Sequence, residues 1–321
     1  EISACLVGSE MCIRDRYSLL KAIVPGTRLI LVGDSSQLPS VGPGNVLKDI
    51  IDSKAFSVVR LSKIYRQAES SHIVLNAHKI NAGELITLDN KNKDFFFFEK
   101  KDVRSVMGAL VYLVKTRLPE YIGASPFEIQ VLTPMRKGEL GVEHLNEVLQ
   151  YYLNPASESK KEKEGRTGVF REGDKVMQVK NNYKLEWKIT NAKGFSIEEG
   201  LGVFNGDMGI IKQINTYSER ITVVFDENRE AEYPFSSLDE LELAYAITIH
   251  KSQGSEYPAV VLPLLSGPPI LCNRNLLYTA ITRAQKCVAI AGRQSMVEQM
   301  IHNETEQKRY SGLNDCLKEG L

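Results

Sequence analysis

Two stretches in the last third of the chain decide the fold: Thr248-Ile-His-Lys-Ser-Gln-Gly-Ser-Glu256 and Leu277-Tyr-Thr-Ala-Ile-Thr-Arg-Ala284. We predict that each is a short helix lying beside an apolar strand, Ala259–Leu262 for the first and Cys287–Ala291 for the second. Both stretches carry polar groups at positions where a buried helix would carry apolar ones. The pattern therefore predicts charged groups at the rim of a parallel sheet, where α/β proteins bind ligands.

The chain upstream alternates in the same way between strand-like and helix-like segments. Residues 28–32 are a continuous apolar run that ends in Gly33-Asp34, a pattern typical of a buried parallel strand that runs into a loop. Further strands are predicted at 56–61, 95–98 and 128–132, and helices at 45–51, 70–80 and 103–117. This alternation predicts an α/β fold with a parallel sheet.

Between about 168 and 241 the pattern changes to short β segments. They fall at 174–180, 208–212 and 220–225, with turns at 204–207 and 226–229. Short strands separated by Asn-Gly and Gly turns predict a small barrel. Because α/β alternation resumes at Leu243, the barrel is predicted to be an insertion.

Composition limits the class of protein. A chain of 321 residues, 43% hydrophobic and 25% charged, can bury two or three cores. With 40 basic and 40 acidic residues the net charge is zero, so a nucleic-acid partner would need a localised groove. No apolar run has the length of a membrane span, and no signal peptide is predicted. The five cysteines form no CxxC pair, which favours a reduced, cytoplasmic protein without a metal site.

Residues 248–256 and 277–284 together resemble the C-terminal motor signatures of superfamily 1 helicases. The string His-Lys-Ser-Gln-Gly-Ser-Glu is the version that marks RecD-like, superfamily 1B enzymes. The resemblance implies RecA-like parallel-sheet motor domains of the P-loop NTPase type with an inserted SH3-like β-barrel. It further implies ATP and Mg²⁺ as cofactors and single-stranded DNA and single-strand/duplex junctions as partners. The implied activity is 5′ to 3′ unwinding in DNA recombination or repair.

The resemblance also divides the chain into domains. Residues 1–57 would be the end of a first RecA-like domain, 58–167 with 242–321 a second one, and 168–241 the barrel. Residues 5–16 match neither a clean strand nor an amphipathic helix and look like translated adaptor sequence. They are left out of the fold expectations.

Gly33-Asp34-Ser-Ser-Gln37 follows a predicted core strand, where an amide side chain can reach a terminal phosphate. In an isolated peptide, Asp34 could equally well cap a turn. The resemblance of this segment to helicase motif III implies that Gly33 and Asp34 lie at the nucleotide. It implies that Gln37 senses the γ-phosphate.

Tyr65-Arg66 stands where a predicted strand gives way to a helix. An arginine there can place its planar fork on a phosphate and a tyrosine ring can lie on a base, although a single arginine more often pairs with a surface carboxylate. In superfamily 1 helicases this pair stacks on adenine and contacts the γ-phosphate, and the resemblance implies those roles here. Residues 279–284 resemble motif VI, which makes Arg283 the arginine finger that offsets charge on the transferred phosphoryl group.

The resemblance to motif V assigns residues 248–256 to two ligands. The residues implied to face the phosphates of a single strand are Thr248, His250 and Ser252. The residues implied to face the nucleotide are Lys251, Gly254 and Glu256, the last at the ribose. Residues 131–138 resemble the motif that precedes the barrel, so Thr133 and Arg136 are candidates for contacts with the DNA backbone.

The 321 residues contain no Gly-x-x-x-x-Gly-Lys-[Ser/Thr] sequence, so the phosphate-binding loop and its magnesium-binding hydroxyl are missing from them. The first residues, Glu1-Ile2-Ser3, resemble the second half of a Walker B segment, which implies that Glu1 is the catalytic glutamate. We expect the chain to be the C-terminal part of a longer helicase and to be inactive by itself. The alternatives are another superfamily 1 motor, such as a conjugative relaxase-helicase or a Pif-type enzyme, and a non-enzymatic nucleic-acid-binding module.

Overall fold

The computed structural model describes residues 13–39, 44–61, 71–166, 168–191, 195–305, 309 and 311–319. One sheet of the structure is built from five parallel strands. These strands are β1 Phe95–Glu99, β2 Ile129–Thr133, β12 Ala246–Thr248, β13 Tyr257–Leu264 and β14 Ala284–Gly292. Their order in the sheet is β1-β14-β13-β2-β12. The central strand β13 is buried over almost its whole length, as expected for a parallel strand covered on both faces.

Helices flank this sheet and connect its strands. The α-helices are α1 Ile13–Ala22, α2 Val46–Ser53, α3 His72–Ala82, α4 Val103–Tyr112, α5 Leu118–Ile122, α6 Val142–Leu153, α7 Arg274–Ile281, α8 Gln294–His302 and α9 Leu313–Glu319. A π-helical segment, Leu113–Arg117, joins α4 to α5. Asp102 starts α4 as an N-cap whose carboxylate accepts a hydrogen bond from Ser105 N at 2.9 Å.

A second sheet is antiparallel and has seven strands in the order β11-β5-β8-β9-β10-β6-β7. Its strands are β5 Lys175–Gln178, β6 Asn182–Thr190, β7 Ser196–Val203, β8 Met208–Asn215, β9 Arg220–Phe225, β10 Glu230–Pro234 and β11 Leu241–Leu243. The short hairpin β3 Glu162–Glu164 and β4 Val169–Arg171 precedes it. Because β2 and β12 to β14 belong to the parallel sheet, this β unit is inserted between them. The predicted α/β fold with an inserted small β domain is confirmed.

Two predicted strands are wrong. Residues 28–32 and 56–61 have no strand geometry, and Val32 and Leu61 are 90% and 93% exposed. A strand forms when neighbouring strands satisfy its backbone groups, and within the described ranges no strand lies beside either segment. The apolar composition of these two segments is compatible with a strand, but it does not provide the neighbouring strand that each would need.

The antiparallel sheet is attached to the α/β unit through a buried carboxylate. Asp174 accepts hydrogen bonds from Gln150 Nε2 at 2.6 Å, Asn154 Nδ2 at 2.7 Å and Tyr245 Oη at 2.9 Å. Burial raises the pKa of Asp174 above its usual value, and these donors oppose that rise. Since Gln150 and Asn154 belong to the end of α6, the network fixes the orientation of that helix against the β unit.

The next residue, Lys175, makes stability depend on pH. Its Nζ is buried and donates to Phe127 O at 2.6 Å and to Gln130 Oε1 at 2.8 Å, and burial lowers its pKa to about 7. An unfolded lysine titrates near ~10.4, so between those two pH values the unfolded chain binds more protons. We therefore expect the free energy of unfolding to rise with pH across that window and this contribution to be constant below it.

Urea denaturation at about pH 7.5 and about pH 9.5 tests this expectation. Lys175→Met should remove the rise, whereas Lys184→Met, at an exposed position of β6, should keep it. If the free energy of unfolding rose equally in the wild type, Lys175→Met and Lys184→Met, Lys175 would be charged in the folded state throughout this pH window.

Candidate nucleotide and nucleic-acid site

A buried arginine joins three segments that are far apart in sequence. Arg283 lies between α7 and β14 and is only 7% exposed. Its Nη2 donates to Gln37 Oε1 at 2.9 Å, and its Nη1 donates to Ser255 O at 3.3 Å. The structure thus brings together the predicted γ-phosphate sensor, the predicted arginine finger and the loop of residues 249–256.

Asp34 orients this group from the other side. Its Oδ2 accepts from Gln37 Nε2 at 3.1 Å and from Tyr278 Oη at 2.9 Å, while its Oδ1 accepts from Ser36 N at 2.9 Å. Asp34 therefore caps a turn and also holds Gln37 toward Arg283. The adjacent Gly33 is exposed and stands at the start of this turn.

Two residues of α7 have a positioning role that the sequence did not predict. Tyr278 holds Asp34, and the hydroxyl of Thr279 accepts a hydrogen bond from Leu38 N at 2.9 Å. Their position about one turn before Arg283, at the end of α7, is the sequence signal for these contacts. Together they fix the Gln37 segment to the helix that presents Arg283.

The electrostatics at Arg283 fit an anionic ligand such as a phosphate. Burial lowers the pKa of Arg283, and the nearby charge of Glu256 opposes that shift. Its Nε is buried without a hydrogen-bond partner among the described residues. A desolvated cation with a remaining donor interacts strongly with an anionic oxygen, so this arrangement is suited to an anion such as a phosphate.

The loop after β12 is a short 3₁₀ helix, Ile249–Ser252, capped by Thr248, whose Oγ1 accepts from Lys251 N at 3.3 Å. Ser252 is fully buried and its hydroxyl donates to Ile249 O at 2.7 Å. Thr133 is also fully buried, and its hydroxyl donates to Leu140 O at 2.7 Å. In this structure both hydroxyls face inward and stabilise loops. Contacts of Thr133 and Ser252 with DNA stay a prediction.

Neighbouring side chains of the 3₁₀ helix point to different sides, because that helix turns about 120° per residue. Lys251, predicted to face the nucleotide, instead donates to Asn205 Oδ1 of the β unit at 2.6 Å. His250 lines a cavity of about 350 Å³ together with Leu38, Asn45 and Arg309. A contact of Lys251 with the nucleotide stays a prediction.

Lys251 and Arg136 line the same groove, which has a volume of about 530 Å³. The groove lies between the parallel sheet and the β unit. Its charged lining residues are Arg136, Lys137, Glu143, Arg166, Lys180, Asp239, Glu242 and Lys251. Arg136 pairs there with Glu242 at 2.5 Å and with Glu143 at 3.4 Å, and Lys180 pairs with Asp239. The groove is thus rich in cations that carboxylates partly neutralise.

The remaining residues of the loop lie on the side of Arg283. Gly254 has φ +81°, a left-handed conformation that favours glycine. Glu256 accepts from Gln285 Nε2 at 3.2 Å. Gln253 Nε2 donates to Leu38 O at 2.7 Å and so connects this loop to the Gln37 segment.

Three predicted site residues, Glu1, Tyr65 and Arg66, lie outside the described residues. In the part of the chain that the structure describes, no three metal-ligating side chains come together, and Cys272, Cys287 and Cys316 are free thiols. Within the same ranges, every helix is too short or too polar to cross a membrane.

Three family models match the chain. They are the ATP-dependent RecD-like DNA helicase SH3 domain at residues 145–225, the UvrD-like helicase C-terminal domain at 243–291 and an AAA domain at 9–95. Among solved structures, the Pif1 helicase from Bacteroides in complex with ADP-AlF3 and single-stranded DNA is 21% identical, with a TM-score of 0.45. That match covers 84% of this chain and 62% of the other.

Two curated relatives align with most of the chain. The ATP-dependent RecD2 DNA helicase of Deinococcus radiodurans is 35% identical over 275 residues, which are 86% of this chain and 34% of the relative. The RecBCD enzyme subunit RecD of Mycolicibacterium smegmatis is 29% identical over 310 residues, 94% of this chain and 51% of the relative. The chain spans about a third to a half of the length of these relatives. With a RecD-like SH3 domain, a helicase C-terminal domain and RecD relatives along most of its length, the chain belongs to the RecD-like helicases.

Proposed function

We propose that this chain is part of an ATP-dependent motor that moves 5′ to 3′ along single-stranded DNA and unwinds duplexes at single-strand/duplex junctions, in recombination or repair. The contact between Gln37 and buried Arg283 is the observation that carries the proposal. It places the neutral amide of Gln37 beside the desolvated cation of Arg283. An amide can bind a transferred phosphoryl group, and a cation can stabilise the charge that develops on it. The family membership and the description of the Deinococcus radiodurans relative as an ATP-dependent DNA helicase support the same activity.

In this proposal ATP with Mg²⁺ supplies the free energy when it is bound and hydrolysed. Arg283 and Gln37 would hold its terminal phosphate, and Glu256 would lie towards its ribose. Asp34, Tyr278 and Thr279 keep Gln37 and Leu38 against α7. Residues 58–167 and 242–321 would form one RecA-like domain, 168–241 the barrel, and 1–57 part of a partner RecA-like domain.

The same contacts offer a route from nucleotide to DNA. Leu38 O accepts from Gln253 Nε2, and Gln253 follows directly on the loop that carries His250 and Lys251. A shift of the Gln37 segment would therefore move that loop, whose His250 and Lys251 face two different cavities. The strand would be held chiefly by its phosphates, with little sequence preference.

A second candidate function applies to the chain by itself. The 321 residues contain no phosphate-binding loop of the Gly-Lys-[Ser/Thr] type, which favours a single-strand-binding module without turnover for this chain alone. The two candidates differ in whether DNA-stimulated hydrolysis appears once a P-loop is present in the same polypeptide. Among motors, the RecD-like SH3 domain supports a RecD-type enzyme over a Pif-type or relaxase-type one.

We expect single-strand binding to depend steeply on salt although the net charge of the chain is zero. Each phosphate neutralised by a cation adds about −0.7 to the slope of log affinity against log salt concentration. Arg136→Ala should therefore make this slope shallower by a little under one unit and leave sequence preference unchanged. Fluorescence titration of a labelled single strand at several salt concentrations measures the slope.

Two controls separate the groove from the general surface. Arg220→Ala removes an arginine that is similarly exposed and ion-paired, with Glu232 on the β unit, and should leave the slope unchanged. Thr248→Val should lower affinity without changing the slope, because a hydroxyl carries no charge. An unchanged slope in Arg136→Ala would remove Arg136 from the path of the DNA.

A further inference from the structure

Two aromatic rings stand exposed near the groove that contains Lys251. Tyr183, on β6, is 66% exposed and Phe204, directly after β7, is 41% exposed. Their ring centroids are 5.5 Å apart and their planes cross at 70°. The pair thus presents ring surface to solvent on the β unit.

Local backbone geometry holds the pair in place. Gly202 has φ +100°, and a Cβ at that position would come within 2.7 Å of the Phe204 ring, so glycine is needed for the ring to fold back there. Phe204 N donates to Asp207 Oδ2 at 3.0 Å, which fixes the turn that follows. Asn181 Nδ2 donates to Tyr183 Oη at 3.4 Å. The two rings are therefore positioned by specific contacts on both strands.

A chain of hydrogen bonds connects the rings to the groove. Lys251 Nζ donates to Asn205 Oδ1 at 2.6 Å, and Asn205 N donates to Asn181 Oδ1 at 2.9 Å. Asn205 follows Phe204 in sequence, and Asn181 lies two residues before Tyr183. Lys180, next to Asn181, lines the groove together with Lys251. The aromatic surface and two cations of the groove thus belong to one connected patch.

We propose that Tyr183 and Phe204 form a base-stacking platform for single-stranded DNA whose phosphates lie along Lys180 and Lys251. Cations beside exposed ring faces suit a single strand, because the cations bind the backbone and each ring accepts any base. The proposal rests on the proposed single-strand function and names residues of that site. Because Lys251 belongs to the loop that Gln253 links to Leu38, the platform is connected to the contact between Gln37 and Arg283.

The test compares an intact oligothymidylate with the same strand carrying abasic sites, using fluorescence anisotropy on the 321-residue chain. Tyr183→Leu should bind the intact strand about tenfold more weakly, which corresponds to about 1.4 kcal/mol. The abasic strand should bind wild type and Tyr183→Leu equally, since it has no base to stack. Tyr183→Trp should keep the affinity of the wild type for the intact strand.

Salt dependence and a second tyrosine provide controls. Tyr183→Leu should leave the slope of log affinity against log salt unchanged, whereas Lys180→Ala should make it shallower by about 0.7. Tyr217→Leu removes a ring that is 98% exposed, in the turn between β8 and β9. It should change neither the affinity for the intact strand nor the salt slope.

The outcomes distinguish the platform from the wider function. If Tyr183→Leu bound the intact strand as tightly as wild type, or weakened binding of intact and abasic strands equally, the platform would be wrong and the aromatic pair would be a candidate surface for another protein. If the wild-type chain bound no single strand at all, the proposed single-strand function would fail together with the platform.

Discussion

Replacing Arg283 with alanine should lower DNA-stimulated ATP hydrolysis by about three orders of magnitude or more, measured on a polypeptide that carries this chain together with a P-loop. The guanidinium is desolvated and next to Gln37, so its charge acts with little screening on a neighbouring phosphate. The affinity for single-stranded DNA should stay near that of the wild type. Arg283 lies on the side of Gln37 and Ser255, whereas the cationic groove is lined by Arg136 and Lys251.

Two further variants make the result specific. Arg283→Lys keeps a positive charge but loses the planar fork and should recover only a small part of the rate. Arg293→Ala removes an exposed arginine that donates to Lys101 O and should leave hydrolysis unchanged. Near-normal turnover in Arg283→Ala combined with loss of DNA binding would place Arg283 in the strand groove and not at the nucleotide.

Much of the fold and part of the site could be predicted from the sequence because the signals there are local. The runs at 95–98, 128–132 and 220–225 are rich in aromatic or β-branched residues and also have neighbouring strands in the structure, so they form β1, β2 and β9. Residues 28–32 have the same kind of apolar composition but no neighbouring strand within the described ranges, and they do not form one. Strand formation depends on a partner that a single segment cannot specify.

The positions of the site residues also depend on partners that are distant in sequence. Gln37 and Arg283 were predicted from two separate motifs, and the structure places them 2.9 Å apart. The hydrogen bond from Lys251 to Asn205 could not be predicted, because it depends on 3₁₀ geometry and on the inserted β unit, which places Asn205 beside the loop. Tyr278 was missed for a similar reason, since its role depends on Asp34, which lies 244 residues earlier in the sequence. Resemblance between motifs identifies which residues take part, and tertiary packing decides where each side chain points.

The second prediction with a large expected effect concerns the unwinding of duplex DNA. In a polypeptide that carries this chain together with a P-loop, we expect ATP-dependent displacement of a duplex with a 5′ single-strand tail, which is the direction that the resemblance to RecD-like enzymes implies. Gln37 and Arg283 would couple hydrolysis to that movement. The 321-residue chain alone should bind the tail and displace nothing, since it contains no P-loop to hold the nucleotide opposite Arg283. Background hydrolysis by this chain should therefore stay far below ~1 per second.

Strand displacement from matched 5′-tailed and 3′-tailed duplexes, with and without ATP, tests the central claim most directly. The account predicts displacement only with ATP, only from the 5′-tailed duplex and only by a polypeptide that carries a P-loop together with this chain, and it predicts the loss of displacement in Arg283→Ala. Turnover near ~1 per second by the 321-residue chain would contradict the need for a P-loop. Displacement from the 3′-tailed duplex alone, or none from either duplex, would contradict the proposed motor.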